Sequence, residues 1–133
     1  MEGEAFLNLV ERLREKVRGE ASSVVGVAPH SLRAVDPPLL KELLAGIPAE
    51  MPCHIHIAEQ QKEVVDCIAW SGLRPVDWLF ENAPVDERWC LVHATHIKES
   101  WRKSIAQSGA VVGLCPITEA NLGDGLFPAS DFL

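Results

Sequence analysis

The stretch Met51-Pro-Cys-His-Ile-His-Ile-Ala-Glu-Gln60 decides how the chain is read. His54 and His56 stand two residues apart, hence on one face of a strand, and Glu59 follows where that strand should end. A neutral imidazole is the commonest metal ligand, and a carboxylate beside a metal can carry protons. Leu91-Val-His93-Ala-Thr-His96 repeats the idea, an apolar run closing on histidines. Two strands that each deliver a histidine near the C-terminal end predict an active site on the top face of a β/α barrel.

Working outward, strands and helices alternate. Strands are predicted at residues 24–28, 53–58, 89–95 and 110–115, the first stopped by Pro29 and the last by Pro116. Phe6, Leu7, Val10, Leu13 and Val17 recur at helical spacing, so residues 4–18 read as an amphipathic helix. Asp36 precedes Pro37 and Pro38 as an N-cap, with Leu39, Leu40, Leu43 and Leu44 as the apolar stripe behind it. Further helices are predicted over 61–70, with Val64, Val65, Ile68 and Ala69 inward, and over 75–82 and 97–108. The tail, rich in Gly, Asn, Thr and Asp, reads as a loop. This alternation implies parallel strands joined by right-handed crossovers, in one domain or a piece of one spanning residues 1–133.

Composition narrows the class. Hydrophobic residues at 47% against 23% charged describe globular material rather than disorder. A net charge of −7 argues against a nucleic-acid surface, which needs a basic patch. The apolar runs are too short to span a bilayer and the N-terminus lacks the apolar stretch of a signal peptide, so no membrane partner is expected. Cys53, Cys67, Cys90 and Cys115 form no CxxC pair and read as buried, reduced thiols of a cytoplasmic protein.

Each candidate has a plainer reading beside it. A lone strand histidine is more often a hydrogen-bonded core residue, and His54 is read that way. His56, nearer the strand end and followed by Glu59, is the better ligand candidate, although Glu59 could also serve a helix N-terminus. With Leu91, His93 and Thr95 on one side of their strand, His93 is the inward group and His96 a solvated loop residue. Pro29-His30-Ser31-Leu32-Arg33 follows the first strand, so it lies on the same expected face. Arg33 offers a planar fork for a carboxylate and His30 a second donor; the alternative is a surface salt bridge.

The strings APHSLRAV, HIHIAEQ, ENAPVDERWCLVHATH and GLCPITEANLGDGLFP resemble the formimidoylglutamate deiminases, histidine-degrading members of the amidohydrolase superfamily. The similarity runs from about Phe6 to the last residue. It implies a metal-dependent (β/α)8 barrel, usually with one zinc ion, that hydrolyses N-formimino-L-glutamate to N-formyl-L-glutamate and ammonia. In that pattern His56 ligates the metal, Glu59 shuttles protons to the leaving nitrogen, and His93 polarises the reacting centre. His30 and Arg33 match the segment that grips the substrate's carboxylates.

The departure is equally specific. The first-strand HxH pair and the eighth-strand aspartate of the pattern are absent, and Asp124 and Asp131 lie too close to the seventh strand to replace the latter. The chain therefore reads as strands four to seven of a barrel that takes roughly 250 residues when complete. Alone it is expected to be inactive, and to self-associate or pair with the missing part. Two other readings stand beside this one: a non-catalytic α/β module that has lost its metal site, and another superfamily deaminase acting on a nucleobase or related amidine. Arg33 suits an amino-acid substrate better than an uncharged base.

Overall fold

Two prolines determine where the sheet begins. The computed structural model describes residues 3–131, and its sheet has three parallel strands in the order β1 (Cys53–Ile57), β2 (Trp89–His93) and β3 (Val111–Gly113). The strand expected over 24–28 is reduced to one isolated parallel bridge, Val27 with Cys53. Val27 N–H donates to the Pro52 carbonyl at 2.8 Å, and His54 N–H to the Val27 carbonyl at 2.9 Å. A longer parallel ladder would need N–H groups from Pro52 on one side and Pro29 on the other, and proline has none. The chain still runs beside β1, because His56 N–H reaches the His30 carbonyl at 3.0 Å.

The other strands are shorter than predicted for a different reason. At the end of β2, His93 and Ala94 take positive φ values of 70° and 48°, which breaks the extended conformation before Thr95. In the register, Ile55 lies beside Leu91, Ile57 beside His93 and Val92 beside Gly113. Gly113 makes room there: a Cβ would sit 2.9 Å from the Cys90 sulfur, which would have to shift.

Among the described residues six α-helices accompany the sheet: α1 (Gly3–Lys16), α2 (Pro37–Gly46), α3 (Gln61–Ser71), α4 (Pro75–Asn82), α5 (Glu99–Ser108) and α6 (Pro116–Leu122). Asp36 caps α2, its carboxylate accepting from Leu39 N–H at 2.8 Å. Of the apolar stripe expected on α1, Val10 is buried, Phe6 and Leu7 are half-buried and Leu13 is exposed. On α3 the inward residues are Glu63, Val64 and Cys67, while Val65, Ile68 and Ala69 face out. The reason is Glu63, whose carboxylate is drawn under the helix by two backbone donors described below. The tail read as a loop contains α6, which starts on Pro116 and ends at Gly123 in the left-handed region.

The sheet's two faces differ. Cys53, Ile55, Ile57, Trp89 and Leu91 are buried with Leu40, Leu43, Val64, Val76, Leu79, Trp101 and Ile105 in one core. On the other face His56, Cys90 and Val92 are half-buried, and His54 and Val111 are exposed. The cysteines divide likewise: all four are free, but only Cys53 and Cys67 are buried.

Burial pushes the Cys53 thiol up from 9.0 to about 12, against a smaller opposing pull from Arg88. The folded state therefore holds this proton where the unfolded chain releases it. The stabilisation is complete below pH 9.0 and is lost as pH rises from there toward 12. Denaturant midpoints measured on either side of pH 9.0 should fall with pH, and fall less in Cys53→Ala. Equal alkaline losses in both proteins would show that Cys53 has no part in the effect.

Candidate active site

The loop after β1 is shaped by one buried side chain. Ala58 takes a positive φ of 50°, turning the chain sharply at the strand end. Glu63 of α3, 2% exposed, accepts from Ala58 N–H and from Glu59 N–H, each at 2.9 Å. One carboxylate thus satisfies two backbone donors and anchors the residue that carries the Glu59 side chain.

Glu59 faces two partners. Its Oε1 lies 3.2 Å from His93 Nε2, and its Oε2 lies 3.3 Å from Arg33 Nη2. Arg33 also donates to the Gln60 side chain at 3.4 Å. The His93 ring, 5% exposed, meets a second carboxylate on its other nitrogen, with Nδ1 3.0 Å from Glu119 Oε1. Each ring nitrogen of His93 thus faces a carboxylate oxygen, and a nitrogen that carries a hydrogen donates to the carboxylate beside it. The result is a continuous line of side chains, Glu119–His93–Glu59–Arg33, drawn from α6, β2, the loop after β1 and the segment before α2.

His56 stands beside this line. Its ring centroid is 5.5 Å from that of His93, nearly parallel, and 5.0 Å from that of His30. His56 Nδ1 lies 2.8 Å from the His30 carbonyl oxygen, which also accepts the His56 backbone N–H. A carbonyl only accepts, so Nδ1 carries the hydrogen, and in the neutral ring the lone pair is then on Nε2. That is the state a metal-ligating histidine needs, and a backbone carbonyl is a usual orienting partner. His93, with both nitrogens engaged, suits proton handling rather than ligation.

The structure therefore brings His30, Arg33, His56, Glu59 and His93 together. Three expectations change. His54 is exposed on the open face of the sheet rather than set in the core. Leu91 does not share a direction with His93: it lies in the helix-covered core, and the positive φ at His93 turns the imidazole toward Glu59. His96 is half-buried rather than solvated, its N–H bonded to the Ala58 carbonyl at 3.0 Å and its carbonyl to Arg74 at 3.3 Å. Glu63 and Glu119 were missed. Glu63 reads from sequence as a surface position on a helix, and Glu119 fell in the tail read as a loop. The Pro116 and Gly123 boundaries would have placed Glu119 within the first turns of a helix.

A model of the Amidohydrolase family matches residues 1–133. The chain belongs to the amidohydrolase family. It is 58% identical to formimidoylglutamate deiminase of Pseudomonas aeruginosa over 98% of its own length and 28% of the relative's. A 5-methylthioadenosine/S-adenosylhomocysteine deaminase of Natronomonas pharaonis is 32% identical over 79% of this chain and 25% of that protein. Among solved structures, an amidohydrolase from Brucella melitensis superposes with a TM-score of 0.92 and 53% identity, covering 99% of this chain and 29% of that one. An adenosine deaminase from Xanthomonas campestris with bound zinc superposes at 0.88 and 26% identity, over 97% and 30% of the two chains. The three-stranded sheet and its helices are thus part of the amidohydrolase β/α barrel, and the chain spans under a third of the relatives it matches. Among the described residues no three His, Cys, Asp or Glu side chains are grouped to hold a metal, and no helix is long and apolar enough to cross a membrane.

Proposed function

We propose that this chain supplies the proton-handling and carboxylate-binding part of a deiminase site that hydrolyses N-formimino-L-glutamate to N-formyl-L-glutamate and ammonia. The supporting observation is Arg33, a fixed cation whose guanidinium lies 3.3 Å from Glu59, so substrate carboxylate binding and proton transfer adjoin. The likeness to the Pseudomonas deiminase adds weight. The four free cysteines fit a cytoplasmic, reducing compartment.

Each residue then has a role. Arg33 and His30 bind the carboxylates, and the formimino group lies toward His93 and Glu59. Water adds to the formimino carbon, and its oxygen becomes the formyl oxygen. The carbon–nitrogen bond breaks, and Glu59 delivers the proton that lets the nitrogen leave as ammonia. His93, held on Nδ1 by Glu119, turns Nε2 toward Glu59 and the reacting centre, where it donates as charge builds. His56 would hold a zinc ion through Nε2, with further ligands from outside the described residues. When bound, zinc supplies the Lewis acidity that makes water nucleophilic near neutral pH.

Arg33→Ala tests this in the full-length enzyme. A hydrogen bond to a charged group contributes about 1.5–3 kcal/mol, so KM for formiminoglutamate should rise about 10- to 100-fold. KM for formamidine, an amidine without a carboxylate, should stay near its original value. Equal losses on both would overturn the carboxylate-binding role and favour a nucleoside deaminase instead.

A further inference from the structure

We propose that Glu119 is a positioning residue, fixing the His93 ring so that Nε2 meets Glu59 and the substrate. The proposal rests on the deiminase reading above for its kinetic consequence, while its structural part stands alone.

Glu119 is 5% exposed, and a carboxylate so placed needs partners. Its Oε1 has two: His93 Nδ1 at 3.0 Å and the Cys115 backbone N–H at 3.0 Å. The Glu119 backbone is tied down as well, its N–H to the Cys115 carbonyl and its carbonyl to Asp124 N–H, each at 3.0 Å. The carboxylate therefore cannot drift, because the backbone that carries it and the backbone it accepts from belong to one tight turn at the start of α6.

An acceptor held at Nδ1 requires the hydrogen there. The opposite nitrogen is then aimed at Glu59 Oε1, 3.2 Å away, where a proton can pass. Without the acceptor the ring could turn over or carry its hydrogen on the other nitrogen, and Nε2 would lose its defined role. The geometry has the logic of a base oriented by a third group. The α6 turn after β3 thus reaches back to control a histidine on β2.

A purely structural role, closing the α6 turn through Cys115 N–H, makes different predictions. Glu119→Gln keeps an oxygen that accepts from both donors, whereas Glu119→Leu removes the acceptor altogether. In the full-length enzyme the glutamine variant should keep kcat within about tenfold, and leucine should lower it about 10- to 100-fold with little change in KM. Ring ¹⁵N NMR, with the His93 signals assigned by their loss in His93→Gln, should show a hydrogen on Nδ1 in the wild type and in Glu119→Gln. That signature should disappear in Glu119→Leu. A folded leucine variant with unchanged kcat, or one retaining the Nδ1 hydrogen, overturns the proposal. Should leucine prevent folding, Glu119→Asp replaces it: the shorter carboxylate should weaken the Nδ1 signature, and an unaltered signature with unaltered kcat overturns the proposal equally. If the wild type turns over no formimino substrate, the deiminase reading fails, and the NMR result alone decides whether Glu119 positions His93.

Discussion

Replacing Glu59 with glutamine in the full-length enzyme should lower kcat by about 10²- to 10⁴-fold, the usual loss when a general acid–base is removed. The substitution keeps shape and size, so the anchoring of the loop by Glu63 through the Ala58 and Glu59 N–H groups is untouched. What changes is chemistry. The two carboxylate oxygens now face His93 Nε2 and Arg33 Nη2, both able to donate. A carboxamide offers one oxygen and one NH2 group, so one contact becomes donor against donor, and neither end takes up a proton at neutral pH. Arg33 loses its ionic partner and is free for a substrate carboxylate, so KM should hold or fall. Metal content should stay the same, since His56 rather than Glu59 is the expected ligand. Steady-state kinetics with metal analysis of the same preparation checks this. A kcat within tenfold of wild type, in a folded and equally metallated variant, would remove Glu59 from the proton path.

How far the site could be read from sequence depends on the kind of signal each residue carries. His56 and Glu59 were legible because strand periodicity and the strand's end are local properties, and both survive in the structure. His93 was legible as the residue that faces the site, and what was misread is its grouping with Leu91. Alternation put it with Leu91, and only the positive φ at His93 separates the two. The first strand was legible as a segment lying beside β1. Its failure to form a ladder follows from Pro29 and Pro52, whose missing N–H groups matter only once the register is known. Glu63 and Glu119 were illegible for a common reason. Each is a charged residue on a short helix, and such residues ordinarily face water. Their burial follows from donors supplied by other segments, Ala58 and Glu59 for one, His93 for the other. The amphipathic reading of α3 failed at the same point, since burying Glu63 turns Val65 and Ile68 outward.

The polypeptide of these 133 residues, purified alone, is expected to self-associate. Helices cover only one face of its sheet. The other presents His54, His56, Cys90, Val92 and Val111, with Val111 58% exposed. Close by in sequence, Ile117 is 79% and Leu126 92% exposed. Large apolar side chains left in water along one stretch of chain favour contact with a second apolar surface. The sheet edges add to this. β3, three residues long, has β2 on one side only, whereas the far side of β1 is partly covered, its His54 and His56 N–H groups bonded to the Val27 and His30 carbonyls. Backbone groups unpaired at such edges are templates for another chain. Two copies have the strands to begin closing a barrel-like assembly, although the short β3 and the prolines flanking Val27 would leave that pairing irregular. Sedimentation velocity across a concentration series should therefore show a weight-average mass that rises with concentration, and the unfolding midpoint should rise with it. A monodisperse monomer with a cooperative, concentration-independent unfolding transition would show instead that this unit closes its own core and that its open face needs no cover.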